Sequence, residues 1–180
     1  MATDHIPVKS RSWDPNYNPR PFFFRQRYSG GFRLVAWTPE LSQLKALVYS
    51  ILDTFPDSVE ALLKLREEEF SDRFSRYFGP VRRNDLVETI RRNESFVFSD
   101  GGNQLCVKRP DADDHIALDD HGILFIYSDS PHFIDLCRRH GFRRKRRKLI
   151  FADGHWHVRP KDSVILGKSI VRQLGLESVE

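Results

Sequence analysis

The densest chemistry in this 180-residue chain lies in one acid-free stretch, Arg138-Arg139-His140-Gly141-Phe142-Arg143-Arg144-Lys145-Arg146-Arg147-Lys148. It holds eight of the 29 Lys and Arg residues; without it, 21 cations face 25 Asp and Glu, and the formal net charge moves from +4 to −4. The chain is therefore a mildly acidic body carrying one cationic segment, and that segment dominates its encounters with polyanions. Guanidinium groups donate hydrogen bonds in a planar fork that fits phosphate oxygens, and nearby rings can stack on unpaired bases. Arg138, Arg139, Arg143, Arg144, Lys145, Arg146, Arg147, Lys148 and Arg159 are thus the expected polyanion-binding residues, with Phe142, His155 and His157 as stacking rings. Nucleic acid is the expected partner, and an acidic protein surface, met by an interaction or neutralising module, is the alternative. A nuclear localisation signal has the same composition, but placement between a helix cap and a core strand argues against a purely receptor-read tag.

The second constellation is His155-x-His157. Residues two apart on a strand project side by side, so two imidazoles at this spacing can ligate one metal. Asp113, Asp114, His115, Asp119, Asp120 or His121 would supply the third ligand of a metal-dependent hydrolase. Neighbouring Arg and Lys oppose a divalent cation, and Asp119-Asp120-His121-Gly122 reads first as a hairpin tip. Cys106 and Cys137 give neither a disulfide framework nor a zinc spacing, and read as buried hydrophobes. There is no glycine-rich phosphate loop, nucleophile signature or paired-Glu helix motif, so no cofactor and no catalytic residue is assigned.

The elements that must position these residues follow from periodicity and punctuation. Prolines at 7, 15, 19 and 21 predict an extended arm over residues 1–21 with no regular element. Residues 22–37 favour strands and turn at Ser29-Gly30-Gly31. Thr38-Pro39-Glu40 opens a helix whose Leu41, Leu44, Val48, Ile51 and Phe55 form one stripe. Asp57 caps an expected second helix running to Gly79-Pro80, with Val59, Leu62, Leu63, Phe70, Phe74 and Phe78 inward and Glu69–Arg73 and Asp72–Arg76 pairs outward. A third helix covers 84–93 around Leu86 and Ile90.

Short strands are then expected at 95–98, 104–108, 115–118 and 123–127, the last buried on both faces because every residue in it is apolar. Asp100-Gly101-Gly102-Asn103 and Asp119-Asp120-His121-Gly122 supply turns between them. Ser130-Pro131 opens a helix lined by Phe133, Leu136, Cys137 and His140 and closed by Gly141. Asp153-Gly154 turns a hairpin of 149–152 with 155–159, in which Leu149, Phe151, Trp156 and Val158 face the core while Lys148, His155, His157 and Arg159 face water. A last helix runs from Asp162 or Ser163 to Gly175 with Leu166, Ile170 and Leu174 inward. Strands and helices segregate in blocks, so the expected fold class is α+β: an antiparallel sheet of hairpins and a meander with helices packed on it, forming a single domain over 22–180. No apolar run approaches the ~20 residues of a membrane span, and Met1-Ala2-Thr3-Asp4-His5 lacks a signal-peptide pattern, which points to the cytoplasm.

Overall fold

A computed structural model describes residues 10–12, 20–67, 73–146, 155–157 and 160–179. The chain order is β1 (Ser10–Ser12), β2 (Phe22–Tyr28), β3 (Gly31–Trp37), α1 (Leu41–Leu52), β4 (Ser58–Arg66), β5 (Phe74–Arg82), α2 (Arg83–Arg92) and α3 (Glu94–Ser99). It continues with β6 (Asn103–Lys108), β7 (His115–Leu118), β8 (Leu124–Tyr127), α4 (His132–Arg139), β9 (Arg143–Arg144), β10 (His155–His157), α5 (Ser163–Leu174) and β11 (Glu177–Val179). Among the described residues, nine strands form one sheet in the order β11-β5-β4-β6-β7-β8-β3-β2-β9. Every pair is antiparallel except β2 with β9. This is an α+β architecture.

All five helices of the described residues contribute to one apolar cluster on one face of the sheet. Leu34, Ala36, Ala61, Leu63, Leu105 and Val107 from the strands meet Leu44 and Ile51 of α1, Leu86 of α2, Phe98 of α3, Leu136 of α4 and Ile170 of α5. Burying each Val, Leu, Ile or Phe among them contributes about 1.5–3 kcal/mol. A second, smaller buried cluster lies on the other face, from Phe22 and Phe24 of β2 to Val35 and Trp37 of β3 and Ile123 before β8. Among the described residues no helix is long and apolar enough to cross a membrane.

Several expected elements stand where punctuation placed them. α1, α2, α4 and α5 are present, with Gly141 (φ 79) and Gly175 (φ 62) taking the left-handed turn that ends α4 and α5. Thr38 shapes the approach to α1, its Oγ1 accepting the Glu40 amide, but Glu40 is the capping residue.

The expected helix over 57–80 is corrected: Ser58–Arg66 and Phe74–Arg82 are two antiparallel strands in register from Ser58↔Arg82 to Arg66↔Phe74. Burial alternates strictly along Ser58–Arg66 up to Leu65, with Val59, Ala61, Leu63 and Leu65 inward, which is a strand period. Glu69, Phe70 and Asp72, invoked for the helix, lie outside the described residues. The strand expected at 95–98 is also corrected, since these residues lie in α3, whose Phe96, Val97 and Phe98 are all buried. The Asn103 side-chain amide donates to the carbonyls of Phe96 (2.7 Å) and Asp100 (2.9 Å), meeting acceptors at the helix end that burial denies to water.

A further correction concerns the arm over 1–21, because Ser10–Ser12 is a strand paired with His155–His157 (Ser10↔His157, Arg11↔Trp156, Ser12↔His155). Finally, β8 is interior but covered fully on one face only. Leu124 and Ile126 are buried, whereas Phe125 and Tyr127 are half-buried on the face away from the helices.

Candidate functional site

Two surfaces bring chemistry together: the cationic edge and the face of the sheet opposite the helices. At the edge, Arg138 and Arg139 occupy the last turn of α4, where positive charge complements the helix's negative end. The chain turns at Gly141 and seats Phe142 in the core, so the expectation that this ring stacks on bases is corrected. Arg143 and Arg144 then lie beside Phe22 and Phe23 of β2. The backbone is fixed by Arg143 N–H to the Pro21 carbonyl (3.1 Å) and Lys145 N–H to the Phe23 carbonyl (2.8 Å), and the Lys145 ammonium sits 4.5 Å from the centre of the Phe22 ring.

Arg138, Arg139, Arg143, Arg144, Lys145 and Arg146 are all exposed. Arg138 shares its charge with Asp135 at 3.2 Å, one turn earlier. Arg147, Lys148 and Arg159 lie outside the described residues, as do the side chains of His155 and His157, the strand expected over 149–152 and the turn expected at Asp153-Gly154.

On the other face, register arranges the side chains in rows, because directly opposed residues share a face. One polar row crosses the strands as Glu60, Lys108, His115, Tyr127, Arg33 and Gln26. The next row is Phe78, Leu62, Cys106, Ala117 and Phe125. A third begins Arg76, Lys64, Gln104. The small side chains of Cys106 and Ala117 leave a hollow between Leu62 and Phe125.

Two adjoining cavities fill it, of about 410 Å³ and 280 Å³, sharing Leu62, Cys106 and His115. The larger is lined both by Phe78 of β5 and by Tyr28 and Gly30 at the β2–β3 turn. Those strands stand six places apart in the sheet, so the sheet curls toward this face.

The polar row is preorganised. The rings of His115 and Tyr127 stack at 4.1 Å and 11°, and Tyr28 meets Tyr127 edge-on at 5.2 Å. His115 Nδ1–H donates to the Asp113 carbonyl at 2.9 Å, which leaves Nε2 of the neutral ring as an acceptor. Arg33 donates to Gln26 Oε1 (2.9 Å) and to the Tyr127 hydroxyl, with its guanidinium 4.3 Å from the Phe125 ring centre. Burial pushes the Cys106 thiol up to about 11, with Lys64 and Lys108 pulling only weakly the other way, so it stays protonated and is a poor nucleophile at neutral pH.

The acidic segment proposed to complete a metal site forms the tip between β7 and β8. Asp119 Oδ1 accepts the amides of His121 (3.0 Å) and Ile123 (2.7 Å), and Gly122 takes φ 76. Ligand atoms of Asp119, Asp120 and His121 lie within 4.8 Å of one another. Their charges already answer one another: Asp120 receives Arg66 and Gln104, each at 3.0 Å, and His121 Nδ1 sits 3.5 Å from Asp119 and 3.2 Å from Asp120. Hydrogen bonds to Asp119 and then Asp120 raise His121 to about 9. These contacts favour the imidazolium, so a cation would have to displace that proton to use His121 as a ligand. Asp113 is exposed, and Asp114 lies 3.8 Å from Arg109.

Comparison with protein-family models, with curated proteins and with solved structures gives no match to this chain.

Proposed function

We propose that the protein is a cytoplasmic, single-domain, noncatalytic binding module that engages nucleic acid through its cationic edge. The observation that supports this reading is the exposure of all six described cations of the basic segment, two on the last turn of α4 and four on or just after β9. Hydrogen bonds from Arg143 and Lys145 to the carbonyls of Pro21 and Phe23 hold this stretch extended, which spaces alternate cations about 6.6–6.8 Å apart along the edge. Among the described residues only one of the six has a close acid, Asp135, which leaves positive potential for a polyanion to neutralise.

Titration of fluorescent single- and double-stranded oligonucleotides at several salt concentrations tests the reading. With about four to six phosphate contacts, log K should fall against log salt with a slope of about −3 to −5 and little dependence on sequence. Changing Arg143, Arg144, Arg146 and Arg147 together to Gln should abolish most of that slope. Absence of binding by wild type at low salt, or equal binding by the variant, overturns the proposal in favour of an acidic protein partner.

A further inference from the structure

We infer that the hollow on the curled face of the sheet is a binding site for one unpaired nucleobase with its sugar and phosphate. The inference deepens the nucleic-acid reading and rests on it for the polymer, although the hollow's own geometry makes a separate case for the nucleotide. Its floor is apolar, formed by Leu62 and Cys106 under both cavities and by Ala117 under the smaller one, on three adjacent strands. The larger cavity, about 410 Å³, falls within the roughly 300–1,000 Å³ of small-molecule sites. The second cavity extends it toward Lys64 and Gln104.

The rim decides the chemical class. Glu60, Lys108 and His115 follow one another along one side of the floor, giving an acceptor, a donor and an imidazole edge. An aliphatic occupant would strip water from these groups and return no hydrogen bonds, which costs free energy. A heteroaromatic ring covers the floor with its face and meets the rim with the donors and acceptors on its edge. His115, stacked on Tyr127, and Tyr28, packed edge-on against the same ring, supply an aromatic wall that is ordered before any ligand arrives. Lys64 lines the far end of the hollow with Gln104 and Asp119, and is the cation there that would meet the phosphate.

Four probes test the site: adenosine and uridine monophosphates, a base-bearing single-stranded decamer, and an abasic decamer with the same number of phosphates. Saturable binding of a monophosphate by wild type is expected, as is affinity for the base-bearing decamer about tenfold or more above that for the abasic one, the scale of one stacked base. Ala117→Phe, which fills the hollow from its floor, should lower base-bearing affinity to the abasic level while leaving abasic binding unchanged. Lys108→Gln, a milder change on the rim, should weaken monophosphate binding several-fold and serves if Ala117→Phe does not fold.

Equal affinity for the two decamers together with no monophosphate binding overturns the site, even where the cationic edge binds both. Monophosphate binding with no abasic binding upholds the site and rejects the cationic edge instead. Should wild type discriminate between the decamers but both folded variants discriminate equally well, the base sits elsewhere and the hollow is rejected.

Discussion

At the residue scale, His121 shows how a titrating group becomes structural. Its two carboxylate neighbours stabilise the imidazolium, and Asp120 is itself held by Arg66 and Gln104. Because the folded value is about 9 against roughly 6.5 for free histidine, the folded state keeps the proton longer than the unfolded chain. The sign follows: the contribution is complete below about pH 6.5 and is lost as pH rises through about 9. Partial exposure screens the interaction, so about 1–2 kcal/mol is expected. Urea unfolding of wild type and His121→Gln should differ by that amount near pH 6 and converge near pH 10; a constant difference across that range would refute the assignment.

At the element scale, the hairpin of β4 and β5 is the sharpest lesson. Leu62 and Leu63 both faced inward in the helical reading; in the strand they point to opposite sides, Leu63 into the helix-covered core and Leu62 into the hollow. Leu63→Ala should cost about 2–5 kcal/mol and Leu62→Ala under about 1.5 kcal/mol, measured by chemical denaturation. Equal costs would count against the strand. The sequence misled here because Glu60, Ala61, Leu62, Leu63 and Lys64 are good helix formers, and the apolar positions fit both a 3.6 and a 2 period over so short a run. Pairing with β5 on one side and β6 on the other overrode propensity.

Elements marked by Pro, Gly or a cap, such as α1, α4, α5 and the β2–β3 turn, were legible because their signals are local. α3 was not, because Phe96, Val97 and Phe98 favour strands by type and become helical only through burial on all sides. The cationic edge was readable as composition. The hollow was not, since it depends on register among β4, β6, β7 and β8, which no single segment encodes.

At the scale of the whole molecule, the chain is stitched together by pairings between distant segments. Ser10–Ser12 pairs with His155–His157, so deletion of residues 1–12 should remove amide hydrogen-exchange protection at 155–157 while leaving β6 to β8 protected. Unchanged protection at 155–157 would show that the pairing is not made in solution. The β3–β8 seam has a consequence during synthesis. Leu34 of β3 meets Ile126 of β8, 92 residues later in the chain. A ribosome adding roughly 5–20 residues per second makes β3 about 5–18 s before its partner. For that interval Phe22, Phe23 and Phe24 emerge with the seam's other half not yet made, so the nascent β2–β3 hairpin is the stretch that holdase chaperones should meet first.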